Sequence, residues 1–229
     1  MRRPACLVFF PLTAPHSFLS LSKKNLKKSY AVTILQLGSR LGRVNAHVNI
    51  TDPSANCTMN GVTLAHTKQS LDLHSSIFHN AASQVSRQQQ RNVVGEGGEA
   101  IFKGRIRIPK QAQKTDSDQL CRSLMLGERA RVIAMPTLEI TADDVTCSHG
   151  ASVTDLDENS MFYLSARGID RNEARKLLLR GFVLELVKDD LVDEAAERRI
   201  TSKLETMNPA ADSITRGYDG DIRQKLVSM

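Results

Sequence analysis

Cys147 and His149 stand two residues apart, a spacing that in an extended strand projects a thiol and an imidazole from the same face. A thiolate beside an imidazole is a donor pair suited to iron or zinc. Two donors leave a metal site incomplete, so water, a distant residue or a second chain would have to supply the rest. Taken alone the pair is a weak signal, and a buried cysteine beside a satisfied histidine is its default reading. Asp72, His74 and His79 form a second cluster. On a strand Asp72 and His74 share a face and His79 takes the other unless a bulge intervenes, and solvated or capping roles compete with metal binding there. Gly95, Gly97 and Ala100 satisfy the GxGxxA spacing of a dinucleotide fingerprint, which requires a following helix. Residues 101 to 108 alternate like a strand and end at Pro109, so the glycines read as a loop. Two glycosylation triplets begin at Asn49 and Asn56, but they need a secretory route that the cysteine usage does not support.

The elements that must carry these residues change character along the chain. Val44, Ala46, Val48 and Ile50 alternate with Asn45, His47 and Asn49. Ala100, Phe102, Ile106 and Ile108 alternate with Lys103, Arg105 and Arg107. Each run predicts a strand with one apolar face. Val132, Ala134, Leu138 and Ile140 form a third run in which Pro136 favours an edge, bulge or corner. Short spacings and no helical period over 31–153 predict an all-β sandwich, barrel or solenoid. Beyond that the period becomes helical. Asp155 with Glu158 and Asp170 with Glu173 resemble capping boxes for helices over 156–166 and from about 170, and Gly168 is a candidate C-terminal cap. Ala174, Leu177, Leu178, Gly181 and Leu184 are the expected stripe of the second helix. A charged third helix is expected from about 192 to 207, stopping before Pro209, followed by a frayed tail.

The 229 residues, 41% hydrophobic and 24% charged, suit a packed domain with an appendage. No run approaches the roughly 18 to 20 apolar residues of a membrane-spanning helix. Four cysteines without a CxxC pair favour a reducing compartment. The net charge of +6 suggests nucleic acid, but residues 1–50 hold eight of the basic residues and no acid. The remaining 179 hold 23 basic against 25 acidic residues, so the body is not basic. With 4% aromatics and no Trp, stacking platforms for single strands are scarce as well, and no nucleic-acid partner is expected. The basic, acid-free start reads as a targeting segment over residues 1–30 or as non-native sequence.

Three blocks, FKGRIRIPKQAQKTDSDQLCRSLML (102–126), LEITADDVTCSHGASV (138–153) and LDENSMFYLSARGIDRNEARKLLLRGFVLEL (156–186), resemble the SufD branch of the SufB/SufD iron–sulfur cluster assembly family. They are long, ordered and correctly spaced. The Cys-Ser-His-Gly tetrad at 147–150 looks like SufD, because the SufB paralogue has a Glu-containing sequence there. A weaker likeness runs upstream through Ser39, Arg40 and Leu41 and through Asn60 and Gly61. Of the family's His-rich segment only His74 and His79 remain.

The resemblance implies a right-handed parallel β-helix over 31–153 followed by a helical domain over 154–229. It implies a non-catalytic scaffold subunit that pairs with a SufB-like paralogue and docks a SufC-like ATPase through its C-terminal helices. It places a transient iron–sulfur cluster at the subunit interface, with His149 the functional residue on this side and Cys147 a second candidate ligand. A plastid location follows for a targeting segment, and the cytosol otherwise. The chain reaches the family's C-terminal half almost at once, which leaves a truncated product open. A Cys/His enzyme, with Cys147 as nucleophile and His149 as base, is the competing class.

Overall fold

Eleven strands and three helices follow one another in the computed structural model: β1 (Ala5–Phe10), β2 (His16–Leu26), β3 (Ser29–Gln36), β4 (Leu41–Ile50), β5 (Asn56–Ala65), β6 (Ser70–His79), β7 (Val85–Val94), β8 (Glu99–Ile108), β9 (Thr115–Met125), β10 (Arg131–Ile140), β11 (Val145–Thr154), α1 (Glu158–Ser165), α2 (Arg171–Val187) and α3 (Glu194–Met207). The structure describes residues 5–10, 16–26, 29–187 and 194–207, with side chains from 29 onward. The expected tail lies outside them. β1 and β2 fall in the stretch read as targeting or non-native, and their backbones pair with β3 and β4, the second with a register shift between Lys23 and Leu26.

Every strand pairing is parallel, and odd and even strands separate into two sheets, β1-β3-β5-β7-β9-β11 and β10-β8-β6-β4-β2. Each coil therefore contributes one strand to each sheet, and the chain is a parallel β-helix. Of the architectures open from alternation, the solenoid is the one adopted. Its corners repeat. Ser39, Lys68 and Gly97 take positive φ at one corner, and Ser54, Ser83 and Lys114 do so at the other. The corner amides donate to the next coil, Lys68 N to Gly97 O at 3.0 Å and Ser83 N to Gln113 O at 2.8 Å. Left-handed backbone costs a non-glycine residue about 1–2 kcal/mol, which these stacked corner bonds offset. The Gly95–Gly98 segment is such a corner and leads into β8, so no dinucleotide-binding turn forms.

Inward residues of the two sheets form the core. Val44, Ala46, Val48 and Ile50 of β4 and Phe102, Ile106 and Ile108 of β8 meet Val32, Ile34, Met59 and Cys121 from the facing sheet. Burying a side chain such as Phe102 contributes about 1.5–3 kcal/mol. The interior is also polar. Ser86, Gln88, Gln90 and Asn92 of β7 and Thr115, Ser117, Gln119 and Ser123 of β9 are buried. β10 is continuous through Pro136 and forms an edge of its sheet, where the missing proline N–H costs no ladder bond.

The helical segment departs from expectation in two details. The N-cap of α1 is Asp157, whose carboxylate accepts from the amides of Asn159 and Ser160, whereas Asp155 lies further out and binds the amide of Leu156. The buried stripe of α2 comprises Ala174, Leu179, Val183, Leu186 and Val187, with Leu177 exposed, Gly181 exposed and Leu178 and Leu184 half-buried. Three consecutive leucines permit either rotation. The apolar surface made by Leu35, Val62, Leu64 and Val93 selects the face carrying Leu179 and Val183, and Ile200 and Leu204 of α3 complete the cluster. Arg91 of β7 fixes the rotation by reaching Glu185 at 3.0 Å and lying 4.6 Å from the Phe182 ring centre. Asp170 caps α2 as expected, accepting from Asn172 N at 2.9 Å, and Gly168 takes φ 79° in the preceding turn.

Candidate functional site

Parallel register stacks equivalent residues from successive coils into columns. One inward column runs Tyr30, Cys57, Ser86, Ser117, Cys147, and its neighbour runs Val32, Met59, Gln88, Gln119, His149. The thiol and imidazole therefore share a face, as their spacing predicts, and that face is the continuation of the solenoid interior. β11 pairs only with β9, and β10 only with β8, so both end their sheets. The same positions that are buried in β9 are open in β11: Cys147 is half-buried against the core and His149 is exposed. Val153, at 42% exposure, and Ile140, at 39%, belong to the same open end.

The first column is hydrogen-bonded and polarised. Gln84 donates its amide N–H groups to Ile50 O and Asp52 O, which leaves its Oε1 as acceptor for His79 Nδ1 at 3.1 Å. His79 Nδ1 must then carry the proton and Nε2 must accept from Ser86 Oγ at 3.0 Å. Ser86 Oγ in turn accepts from Ser117 at 2.8 Å. Burial lowers His79 to about 4, so its ring is neutral near pH 7. Cys57 and Cys121 are pushed up to about 12 and about 11 by burial, and are inert packing thiols. Burial also raises the Cys147 thiol, with the Ser117 backbone opposing. A nucleophilic cysteine needs the reverse shift, which weakens the Cys/His enzyme reading.

Asp72 and His74 lie on the outer face and His79 points inward, the separation expected from alternation. The Asp72 carboxylate receives Arg43 Nε at 2.7 Å. His74 Nε2 comes within 2.9 Å of Asp72 Oδ1, but the angles do not make a hydrogen bond. Burial lowers His74, against the pull of Asp72. Among the described residues no three His, Cys, Asp or Glu side chains gather as a metal site. None of the described helices is long and apolar enough to cross a membrane.

What the sequence reading passed over is the polar interior behind Cys147 and His149. Its signal is a strand in which uncharged polar residues (Ser117, Gln119, Ser123) alternate with charged ones (Asp116, Asp118, Arg122), the uncharged set being the buried one.

A coiled parallel solenoid whose terminal strands β10 and β11 end their sheets, followed by three helices, defines the class. Residues 23–182 match the SufBD core domain of SUF system FeS cluster assembly, and the chain belongs to that family of iron–sulfur cluster assembly proteins. It is 36% identical over 178 residues to Protein ABCI7, chloroplastic, of Arabidopsis thaliana, covering 77% of this chain and 38% of that protein. It is 32% identical over 168 residues to the iron–sulfur cluster assembly protein SufD of Escherichia coli, covering 73% and 40%. A SufBD family protein of Synechocystis is 34% identical over 158 residues, covering 69% and 35%. The chain thus spans about two fifths of the length of these relatives.

Proposed function

We propose that the chain is a scaffold subunit of a SUF-type assembly complex, in which the open end of the β-helix meets a SufB-like paralogue and the nascent cluster forms between them. The observation that carries this reading is the placement of Cys147 and His149 on the inward face of the terminal coil. A second chain abutting that coil would bury Val153 and Ile140 and supply the donors that two residues lack. In this reading His149 contributes an imidazole to iron, and Cys147 is the weaker contributor because burial opposes its thiolate. The iron–sulfur cluster is cargo, and the chain turns over no substrate of its own.

The helical segment, assigned to 154–229 with the β-helix at 31–153, offers the ATPase contact. α2 buries one face on the β-helix, while Leu177 of α2 and Phe162 and Tyr163 of α1 are exposed at 53%, 74% and 56%. These exposed apolar side chains on the two helices are what a SufC-like ATPase would cover. A plastid location fits the basic, acid-free residues 1–30 and the chloroplastic relative.

Co-expression with a SufB-like chain and a SufC-like ATPase, followed by reconstitution with iron and sulfide, tests the reading. The three chains should co-purify, and His149→Ala should leave the complex intact while lowering cluster absorbance several-fold. Full assembly by His149→Ala would remove His149 from the chemistry, and a chain that purifies alone would remove the scaffold role.

A further inference from the structure

The second inward column is an amide ladder with a direction. Gln88 Nε2 donates to Ser75 Oγ across the interior and to Met59 Sδ of the preceding coil at 3.4 Å, and Gln119 Nε2 donates to Gln88 Oε1 at 2.7 Å. Each amide N–H thus points back toward the preceding coil, and each carbonyl is left for the following one. Gln88 Oε1 is used in this way. Gln119 Oε1 is fully buried and has no donor among the described residues, although Gln119 is 0% exposed. Leaving such a buried acceptor unpaired is unfavourable.

The space for this amide is built into the neighbouring sheet. A Cβ at Gly104 would fall 2.3 Å from Gln119 Nε2 and 2.5 Å from Phe102 Cζ, so glycine is what lets Gln119 lie in the interior. The register partner of Gln119 on the terminal coil is His149. Adjacent strands lie about 4.8 Å apart, within reach of a glutamine carbonyl and an imidazole N–H.

We infer that Gln119 is a positioning residue for His149, its Oε1 accepting one ring N–H so that the other ring nitrogen presents its lone pair outward. Histidines that bind metals commonly donate their second N–H to such an acceptor, which fixes tautomer and ring orientation. The exposed His149 ring does not make this bond in the structure; turning it onto Oε1 would satisfy the buried carbonyl and set the imidazole's free nitrogen for a metal before any metal arrives. The inference rests on the role proposed for His149, but it is read without iron or partner, so its failure is separable from failure of the scaffold reading.

The test is nitrogen NMR of the full chain labelled at histidine, about two pH units above the ordinary imidazole value near 6.5. His149 is assigned by its loss in His149→Ala. The unmodified chain should show one fixed tautomer, with separate pyridine-like and pyrrole-like ring nitrogens, and Gln119→Met should collapse them toward the averaged shifts of free imidazole. Proton contacts between the His149 ring and the Gln119 side chain in the unmodified chain give a second reading that needs no variant. Averaged shifts in the unmodified chain, absence of those contacts, or a fixed tautomer that survives Gln119→Met in folded protein would each overturn the inference, the last two pointing to a buried water as the partner of Oε1.

Discussion

Gly61 and His79 show how the interior of this solenoid depends on single residues. A Cβ at position 61 would lie 1.8 Å from Gln90 Oε1 and 2.9 Å from Leu73 Cδ2. Gln90 cannot simply swing away, because its Nε2 donates to Thr63 Oγ1 at 3.0 Å and to Asn92 Oδ1 at 2.7 Å. Gly61→Ala should therefore cost about 1–3 kcal/mol in urea unfolding, as overpacked cores do. Shortening the opposing residue as well, in Gly61→Ala with Gln90→Ala, should cost less than the sum of the single changes. His79 supplies a pH dependence. Its folded value of about 4 lies below the ordinary 6.5, so between those values the unfolded chain binds more protons. The His79 contribution is complete above about pH 6.5 and is lost as pH falls toward 4, a loss of about 3 kcal/mol across the window. Unfolding midpoints measured from about pH 7 down to about pH 4.5 should fall less steeply in His79→Gln than in the unmodified chain.

Among the elements, α2 separates structural from surface leucines. Leu179 is fully buried in the cluster between the helices and the β-helix, whereas Leu177 is 53% exposed. Leu179→Ala should cost about 2–5 kcal/mol. Leu177→Ala should change stability by less than about 0.5 kcal/mol and, if the exposed apolar side chains of α1 and α2 are the ATPase contact, weaken capture of that subunit. Calorimetry and a pull-down on the same two variants separate the outcomes. The contrast also marks what could be read from sequence. β4, β8 and β10 were legible because their inward residues are apolar, and the pair Cys147 and His149 because a strand has period two. The stripe of α2 was misplaced because helical periodicity alone cannot choose between two apolar faces when the selecting surface comes from residues 35 to 93. β7 and β9 were not individually legible, since Ser, Gln and Asn occupy their inward positions and alternation of apolar residues is silent there. The family likeness supplied the solenoid that alternation left open among three architectures.

At the scale of the whole molecule, coils touch their neighbours in sequence, so stability accumulates along one dimension. The α2 and α3 cluster braces Leu35, Val62, Val93 and Leu124, which come from β3, β5, β7 and β9 or their ends, and it includes nothing from β10 or β11. Each of those two strands is hydrogen-bonded to one neighbouring strand only. Amide exchange with heavy water measures the consequence. Protection should be highest in β5 to β8 and lowest in β10 and β11, and equal protection in all of these strands would mean that the terminal coil opens only with the whole chain. On that ordering, Cys147 and His149 sit on the less protected of these coils. A partner that closes over this coil gains its binding energy net of the cost of holding it shut, and by linkage slows its exchange in proportion to affinity. If the cluster forms on this coil, local melting of a single coil would give a route for loading and release that needs no hinge within the chain.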